Sequence, residues 1–312
     1  MNFVIPAGSA TNLPKELVDK IVDLAVEKSV LFKLIANRQQ SIEIVNEGTI
    51  PVLGEEGLDK VYRLDSTTDI TSLTEQAFDI RTPDLFPVEV GSYLYLKKKH
   101  VEQYPELKLD ELFEKRLARG IGRSVDKLGI VGDTDAVGAT NLLGISNGIY
   151  TIANSAALCA TTAVSYTTSN AQTALDAVAE ALQAIGVYGD DEFADDLYLF
   201  ASADFLTTCR TAANRDVIGY DIADLPELGL KNVIHLWNVP VVKRTFITGE
   251  KAVLVNMRGC FVGYYGKIAI DAEHKAGRRA DLLVTTYWID FKFAFINASS
   301  KALGVVLIYK TS

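Results

Sequence analysis

Leu109-Asp110-Glu111-Leu112-Phe113-Glu114-Lys115-Arg116-Leu117-Ala118-Arg119-Gly120-Ile121-Gly122-Arg123-Ser124-Val125-Asp126-Lys127-Leu128 is the stretch on which the fold turns. Leu109, Phe113, Leu117, Ile121, Val125 and Leu128 advance by four, four, four, four and three residues, drawing an apolar stripe down one side of a helix. Asp110 and Glu111 fall in the first turn, where the helix dipole favours negative charge. Glu111 and Lys115 form an i, i+4 pair in the favourable order. At 1.5 Å per residue the element is about 30 Å long. Gly120 and Gly122 weaken its helix propensity by about 1 kcal/mol each relative to Ala, so packing has to compensate. A Gly-rich turn system follows, with Gly129, Gly132, Gly138, Gly144 and Gly148.

On the N-terminal side, Leu13, Leu17, Ile21, Leu24, Leu31 and Ile35 recur at helical spacing, with Pro14 near the first turn. This face needs a partner, on its own domain or on a neighbour. From Ser41 the period changes to two: Ile42 and Ile44 alternate with polar residues, and Thr49-Ile50-Pro51-Val52-Leu53 resumes the run after Gly48. Residues 54–87 are polar and turn-rich, and Val88, Val90, Ser92, Leu94 and Leu96 then share one strand face. Two strand-like arms around a polar excursion predict an extended two-stranded loop, which has too little core to stand alone.

On the C-terminal side, 151–169 reads as loop or weak strand. Ala174, Leu175, Val178, Leu182 and Ile185 predict a helix, Leu197-Tyr198-Leu199-Phe200 a buried strand, and Ser202-Ala203-Asp204 the start of another helix. Strands are expected around Val233–Trp237, Pro240–Val242 and Ala252–Val255, completing one α+β block. Further strands, Lys267–Ile270, Leu282–Trp288 and Val305–Tyr309, have the long helix as their expected partner.

The bulk numbers exclude several functions. With 312 residues, 48% hydrophobic and 23% charged, the chain is long enough for one large or two medium folded domains. It has no apolar run of about 18 residues, so no membrane-spanning helix is expected. Its first residues lack a basic n-region followed by an apolar h-region, and synthesis in the cell interior is expected. Cys159, Cys209 and Cys260 are too scattered for a disulfide framework or a metal motif, and read as buried small residues. His100, His235 and His274 have no partner at metal-ligand spacing. A net charge of −9 argues against tight DNA binding, the one compact basic run being Lys97-Lys98-Lys99-His100. An acidic wall would still let DNA slide within a container.

Candidate chemistry is sparse. The turn system 129–148 contains neither a Walker nor a dinucleotide glycine pattern, has no cation, and includes Asp133 and Asp135. Asp190-Asp191-Glu192 and Asp195-Asp196 could hold a divalent metal but lack EF-hand spacing and read as a solvated loop. Ser124 and Ser202 lack a nucleophile elbow. The aromatic run Tyr287–Phe295 reads as packed sheet in preference to a base-stacking platform. No catalytic residue, metal site or cofactor is expected.

The order of elements resembles that of the major capsid proteins of tailed bacteriophages, the Hong Kong phage-type capsid fold shared with encapsulins. The resemblance rests on Leu112–Arg119 with Ser124–Lys127, on Gly132-Asp133 and Leu142-Leu143-Gly144-Ile145, on Asn238-Val239-Pro240-Val241-Val242, and on Arg258–Tyr265. The chain departs from the family where Pro is usual before Gly144, and where Asn238 replaces a common Gly.

The resemblance implies an α+β fold with an N-terminal arm at 1–40 and an extended β-hairpin, the E-loop, at 41–99. A peripheral domain with a spine helix at 100–140 and 266–312, and an axial domain at 141–265, complete it. It implies self-assembly into hexamers and pentamers of an icosahedral shell around double-stranded DNA, which it touches weakly and without specificity. The virion would be its location and the host cytoplasm its place of assembly. Expected partners are further copies, a portal, decoration proteins and a scaffold; some relatives carry a charged scaffolding segment ahead of the arm, so either a separate scaffold acts here or numbering begins after processing. Side chains expected between subunits are Leu17, Ile21 and Leu24 on the arm, Leu58, Tyr62 and Phe78 on the loop, and Lys97, Lys98 and Lys99 at its return. The alternatives are an encapsulin-type cargo shell and, from another class, a metal-dependent hydrolase using the 190–196 carboxylates.

Overall fold

In the computed structural model the quoted stretch is helical from Leu109 to Val131, and Leu117, Ala118, Ile121, Val125 and Leu128 are buried along it. The structure describes residues 11–12, 29–38, 41–43, 48–49, 52–54, 79–81, 84–85, 87–97, 109–135, 142–167, 171–210, 219–275, 280–297 and 299–311. The N-terminal half contains β1 (Thr11–Asn12), α1 (Val30–Asn37), β2 (Ser41–Glu43), β3 (Gly48–Thr49), β4 (Val52–Gly54), β5 (Asp79–Arg81), β6 (Asp84–Leu85), β7 (Val88–Lys97) and α2 (Leu109–Val131). The middle contains α3 (Ile149–Ala153), β8 (Val164–Tyr166), α4 (Ala171–Ala184), β9 (Leu197–Ala201), α5 (Ala203–Arg210), β10 (Tyr220–Leu225), β11 (Leu230–Leu236) and β12 (Val239–Lys243). The chain closes with β13 (Lys251–Asn256), β14 (Cys260–Lys275), β15 (Ala280–Phe293) and β16 (Val305–Lys310).

Two sheets organise these elements. One is a long antiparallel hairpin of β14 and β15, with β7 on the β15 edge and both β1 and β2 on the β14 edge. At about 3.3 Å per residue, the 16 residues of β14 extend about 50 Å. Tyr287, Ile289, Phe291 and Phe293 are buried on β15, the packed-sheet reading of that aromatic run. The other sheet has seven strands in the order β10-β11-β12-β9-β13-β16-β8. At its centre β9 is buried along its whole length, with β12 parallel on one side and β13 antiparallel on the other. Small residues (Ala171, Ala174, Ala177 and Ala181) let α4 bury its apolar face, while Phe205, Leu206 and Cys209 do so for α5.

The glycines after α2 have a mechanical cause. Gly132 donates its N–H to the Leu128 carbonyl, and Gly148 donates to the Gly132 carbonyl, both at 2.9 Å. A Cβ on Gly148 would lie 2.5 Å from the Ile130 carbonyl carbon, and one on Gly132 would strike the Leu128 and Ser146 carbonyls. Backbone packed this closely admits only glycine, which accounts for Gly132 among the turn residues behind the family resemblance. Asn238 has a similar account. Trp237 and Asn238 have φ of 51° and 65° and join β11 to β12 as a two-residue hairpin turn. Such a turn needs two left-handed residues, and Asn tolerates that conformation better than most. Trp237 is held there by its Nε1–H, which donates to the Leu175 carbonyl at 2.9 Å.

Four expectations need correction. The N-terminal helix does not run unbroken to Ile35: Ser29 is extended, with φ −92° and ψ 120°, and its side chain caps α1 by accepting from Phe32 N–H. The stretch 151–169 is partly helical, since α3 occupies 149–153; five residues are too few to show a period. A strand at 220–225 was not expected, because on this sheet edge residues 221–224 are all exposed and no alternation marks it. Val305–Lys310 does not turn back to the long helix. It pairs with β13 and β8 inside the seven-stranded sheet, whose core takes up its fully apolar run.

Candidate functional site

The projecting loop is the first candidate, and its described residues form a ladder. β3 pairs antiparallel with β6, matching Gly48 with Leu85 and Thr49 with Asp84. β4 pairs with β5, matching Val52 with Arg81 and Gly54 with Asp79. Neither two-stranded sheet has a third strand among the described residues. The returning strand β7 then joins the long hairpin over ten consecutive pairs, from Ile289 opposite Val88 to Ala280 opposite Lys97. The two arms expected to form the loop, 41–53 and 88–96, do not pair with each other: β7 joins β15 and β2 joins β14. The loop's returning strands, β5 and β6, lie inside the stretch 54–87 that reads as turns.

Of the residues expected at subunit contacts, Leu17, Ile21, Leu24, Leu58, Tyr62, Phe78, Lys98 and Lys99 lie outside the described residues. Lys97 is placed by its backbone: it pairs with Ala280, which pairs on its other side with Lys275. Large apolar side chains are exposed singly on both sheets: Val88 (44%) on the edge strand β7, Trp288 (40%) on the inner strand β15 and Ile222 (51%) on the edge strand β10. Scattered in this way they do not by themselves mark a contact surface.

The second candidate is the root of the N-terminal segment. Leu31, Leu34 and Ile35 of α1 have no solvent exposure, and the Leu31 side chain occupies the space a Cβ on Gly129 would take. Asp126, buried on α2, accepts from Ser29 Oγ at 2.6 Å and from the N–H groups of Leu31 at 2.9 Å and Val30 at 3.3 Å. One carboxylate therefore serves the first turn of α1, where the backbone N–H groups lack helical partners. Arg244, just after β12, brings Nη2 to 3.4 Å from the same carboxylate. Burial pushes the Arg244 pKa down, and Asp126 opposes that shift.

At the other end of α1, Arg38 Nε donates to Asp196 at 2.7 Å, and Arg258 donates to the second oxygen of that carboxylate. Arg38 also donates to the Leu34 and Asp195 carbonyls and lies over the Tyr198 ring. Burial alone would lower the Arg38 pKa, but the side chains of Asp196 and Tyr198 raise it overall. Helix α1 is pinned at both ends to elements more than ninety residues away in sequence. Reading the sequence alone missed Asp126, Arg244, Asp196 and Arg258 as anchors. Asp126 did carry a signal, as a carboxylate among the buried positions of an otherwise apolar helix face.

The residues weighed for chemistry have structural employment. Asp196 of the acidic cluster is buried between two arginines, so the solvated-loop reading fails at that residue and its oxygens are already occupied. No group of three or more potential metal ligands occurs among the described residues. Buried Ser202 caps α5 by accepting from Phe205 N–H, and Ser124 donates to the Gly120 carbonyl. The three cysteines are buried, and burial pushes their thiols up, Cys209 to about 12. Such thiols stay protonated and poorly nucleophilic at neutral pH. No helix among the described residues is long and apolar enough to cross a membrane.

Comparison with known proteins bears on the whole chain. The Phage capsid family matches it over residues 10–217. No curated protein matches it. Among solved structures, the satellite phage P4 procapsid that includes the size determination protein is similar at 12% identity and TM-score 0.56, over 94% of this chain and 99% of that one. The structure from Microbacterium phage Oxtober96 is similar at 14% identity and TM-score 0.57, over 100% and 95%. The capsid of an empty GTA particle is similar at 14% identity and TM-score 0.53, over 89% and 90%. At these identities the structural likeness speaks to the fold.

Proposed function

Because the chain belongs to the phage capsid family and is a major capsid protein of an icosahedral shell, we propose that its ladder and N-terminal segment are the parts that join subunits into hexamers and pentamers. The fold is the Hong Kong phage-type capsid fold, the chain is a structural protein that assembles with itself, and its location is the capsid of the virion. In the proposed division, 41–99 is the E-loop and the long hairpin with α2 forms the peripheral domain. The seven-stranded sheet, including β16, is the axial domain, and the arm proper ends before Ser29.

The observation that carries this reading is the ladder β3–β6 and β4–β5, two short pairings with no third strand among the described residues. A two-stranded ribbon is marginal in water; Leu85 of β6 is buried within the subunit, and a neighbouring copy supplies the further surface. The arm and loop residues Leu17, Ile21, Leu24, Leu58, Tyr62, Phe78 and Lys97 to Lys99 are the proposed contacts. Contact areas above about 2,000 Å² per pair belong to the obligate class, and symmetry repeats them into a closed object. Portal, scaffold and decoration proteins are the further partners proposed, with double-stranded DNA inside and assembly in the host cytoplasm. Negative-stain electron microscopy of the expressed full chain tests the reading: closed particles of uniform diameter are expected, and a purely monomeric protein contradicts it.

A further inference from the structure

The exposed face of α2 carries a charge pattern that the chain's net charge of −9 conceals. From Lys115 to Val131 the exposed positions are Lys115, Arg116, Arg119, Gly120, Arg123 and Lys127. Every exposed side chain on this length of helix is a cation. Lys115, Arg119, Arg123 and Lys127 follow one another at four-residue steps, about 6 Å apart along the axis and about 18 Å from end to end. Arg116 stands beside them, one turn before Arg119 and Gly120. The only carboxylate in the stretch, Asp126, is buried and faces Ser29 and Arg244 on the other side. Among the described residues none of the five cations enters an ion pair. Like charges one turn apart destabilise a helix; beyond the Glu111–Lys115 spacing at its start and the Phe246 ring beside Arg123, no described contact offsets that repulsion.

The partner follows from the chemistry of this face. A docking protein is anchored chiefly by apolar and aromatic side chains in its partner's surface, and the exposed stripe has none. Three of the five cations are arginines, whose planar fork suits phosphate oxygens. Arg123 is already positioned, with its guanidinium 5.5 Å from the Phe246 ring centre. We infer that this stripe on α2 is where the subunit meets the phosphate backbone of enclosed double-stranded DNA, in weak, sequence-independent, salt-sensitive contacts. The inference rests on the shell reading and adds the residues and the ligand chemistry.

Fluorescence anisotropy of the unassembled full chain with a short labelled DNA duplex tests it, comparing wild type with R116Q/R119Q/R123Q. Each phosphate contact contributes about 0.9 to the slope of log affinity against log salt, so the triple variant should be shallower by about 2.7 between about 50 and 200 mM salt. Its affinity at the lower salt should fall more than tenfold, while circular dichroism stays unchanged. An unchanged slope, no duplex binding by the wild type at low salt, or tighter binding of polyglutamate than of the duplex at equal charge overturns the inference, the last by favouring an acidic protein as the partner. Imaging of both proteins separates the two readings. Wild-type particles with an unaltered variant slope sink the DNA stripe alone, whereas absence of wild-type particles sinks the shell reading beneath it.

Discussion

Helix α1 and the ladder β3–β6 are held in opposite ways. Helix α1 buries three apolar side chains completely and is tied at each end by a carboxylate on a distant element, Asp126 at its start and Asp196 at its finish. The ladder is joined by pairings of two and three residues. Among the described residues, α1 is fixed by burial and buried ion pairs, whereas the ladder is fixed by backbone pairing and the buried Leu85.

The sharpest way to break the contrast is at Asp126. Removing it by Asp126→Ala leaves Arg244 buried without its counter-charge and uncaps α1. Breaking a buried pair from one side costs about 3–5 kcal/mol, read as a lower denaturant midpoint of the full chain. Replacing both partners, with Asp126→Leu and Arg244→Met, should cost less than Asp126→Leu alone, because no buried cation is then left without a counter-charge, though the donors of Ser29, Val30 and Leu31 stay unmet. A larger loss from the pair than from that single change would contradict the buried-charge account. A smaller effect is expected where α2 ends. Gly148→Ala forces a Cβ onto the Ile130 carbonyl, and overpacking of that kind costs about 1–3 kcal/mol. An unchanged midpoint there would mean that the turn can shift away from the helix end.

The parts of this architecture that were legible in sequence share a cause. The stripe from Leu109 to Leu128 shows because its period persists for more than five turns. The outgoing side of the ladder shows because Thr49 to Leu53 resumes an extended pattern, whereas its returning strands β5 and β6 are too short and polar to mark themselves. The destination of Val305–Lys310 did not show: a continuous apolar run announces a buried strand without naming its neighbour. Strand β10 was hidden because an exposed edge has no buried face to impose alternation. The anchors were hidden by separation, since Ser29, Asp126 and Arg244 meet only after three elements have packed. The cationic row on α2 could have been found by counting Lys and Arg at steps of four, a pattern that net charge averages away.

The contrast between α1 and the ladder is tested most directly by replacing residues 55–78 with a short Gly-Ser turn between Gly54 and Asp79, then measuring denaturant midpoint and particle formation on the same preparation. The account predicts a subunit that unfolds at the wild-type midpoint and yields no closed particles under the electron microscope. Intact particles from this variant would contradict the role given to the loop, and a collapsed midpoint would place the loop within the subunit's own fold.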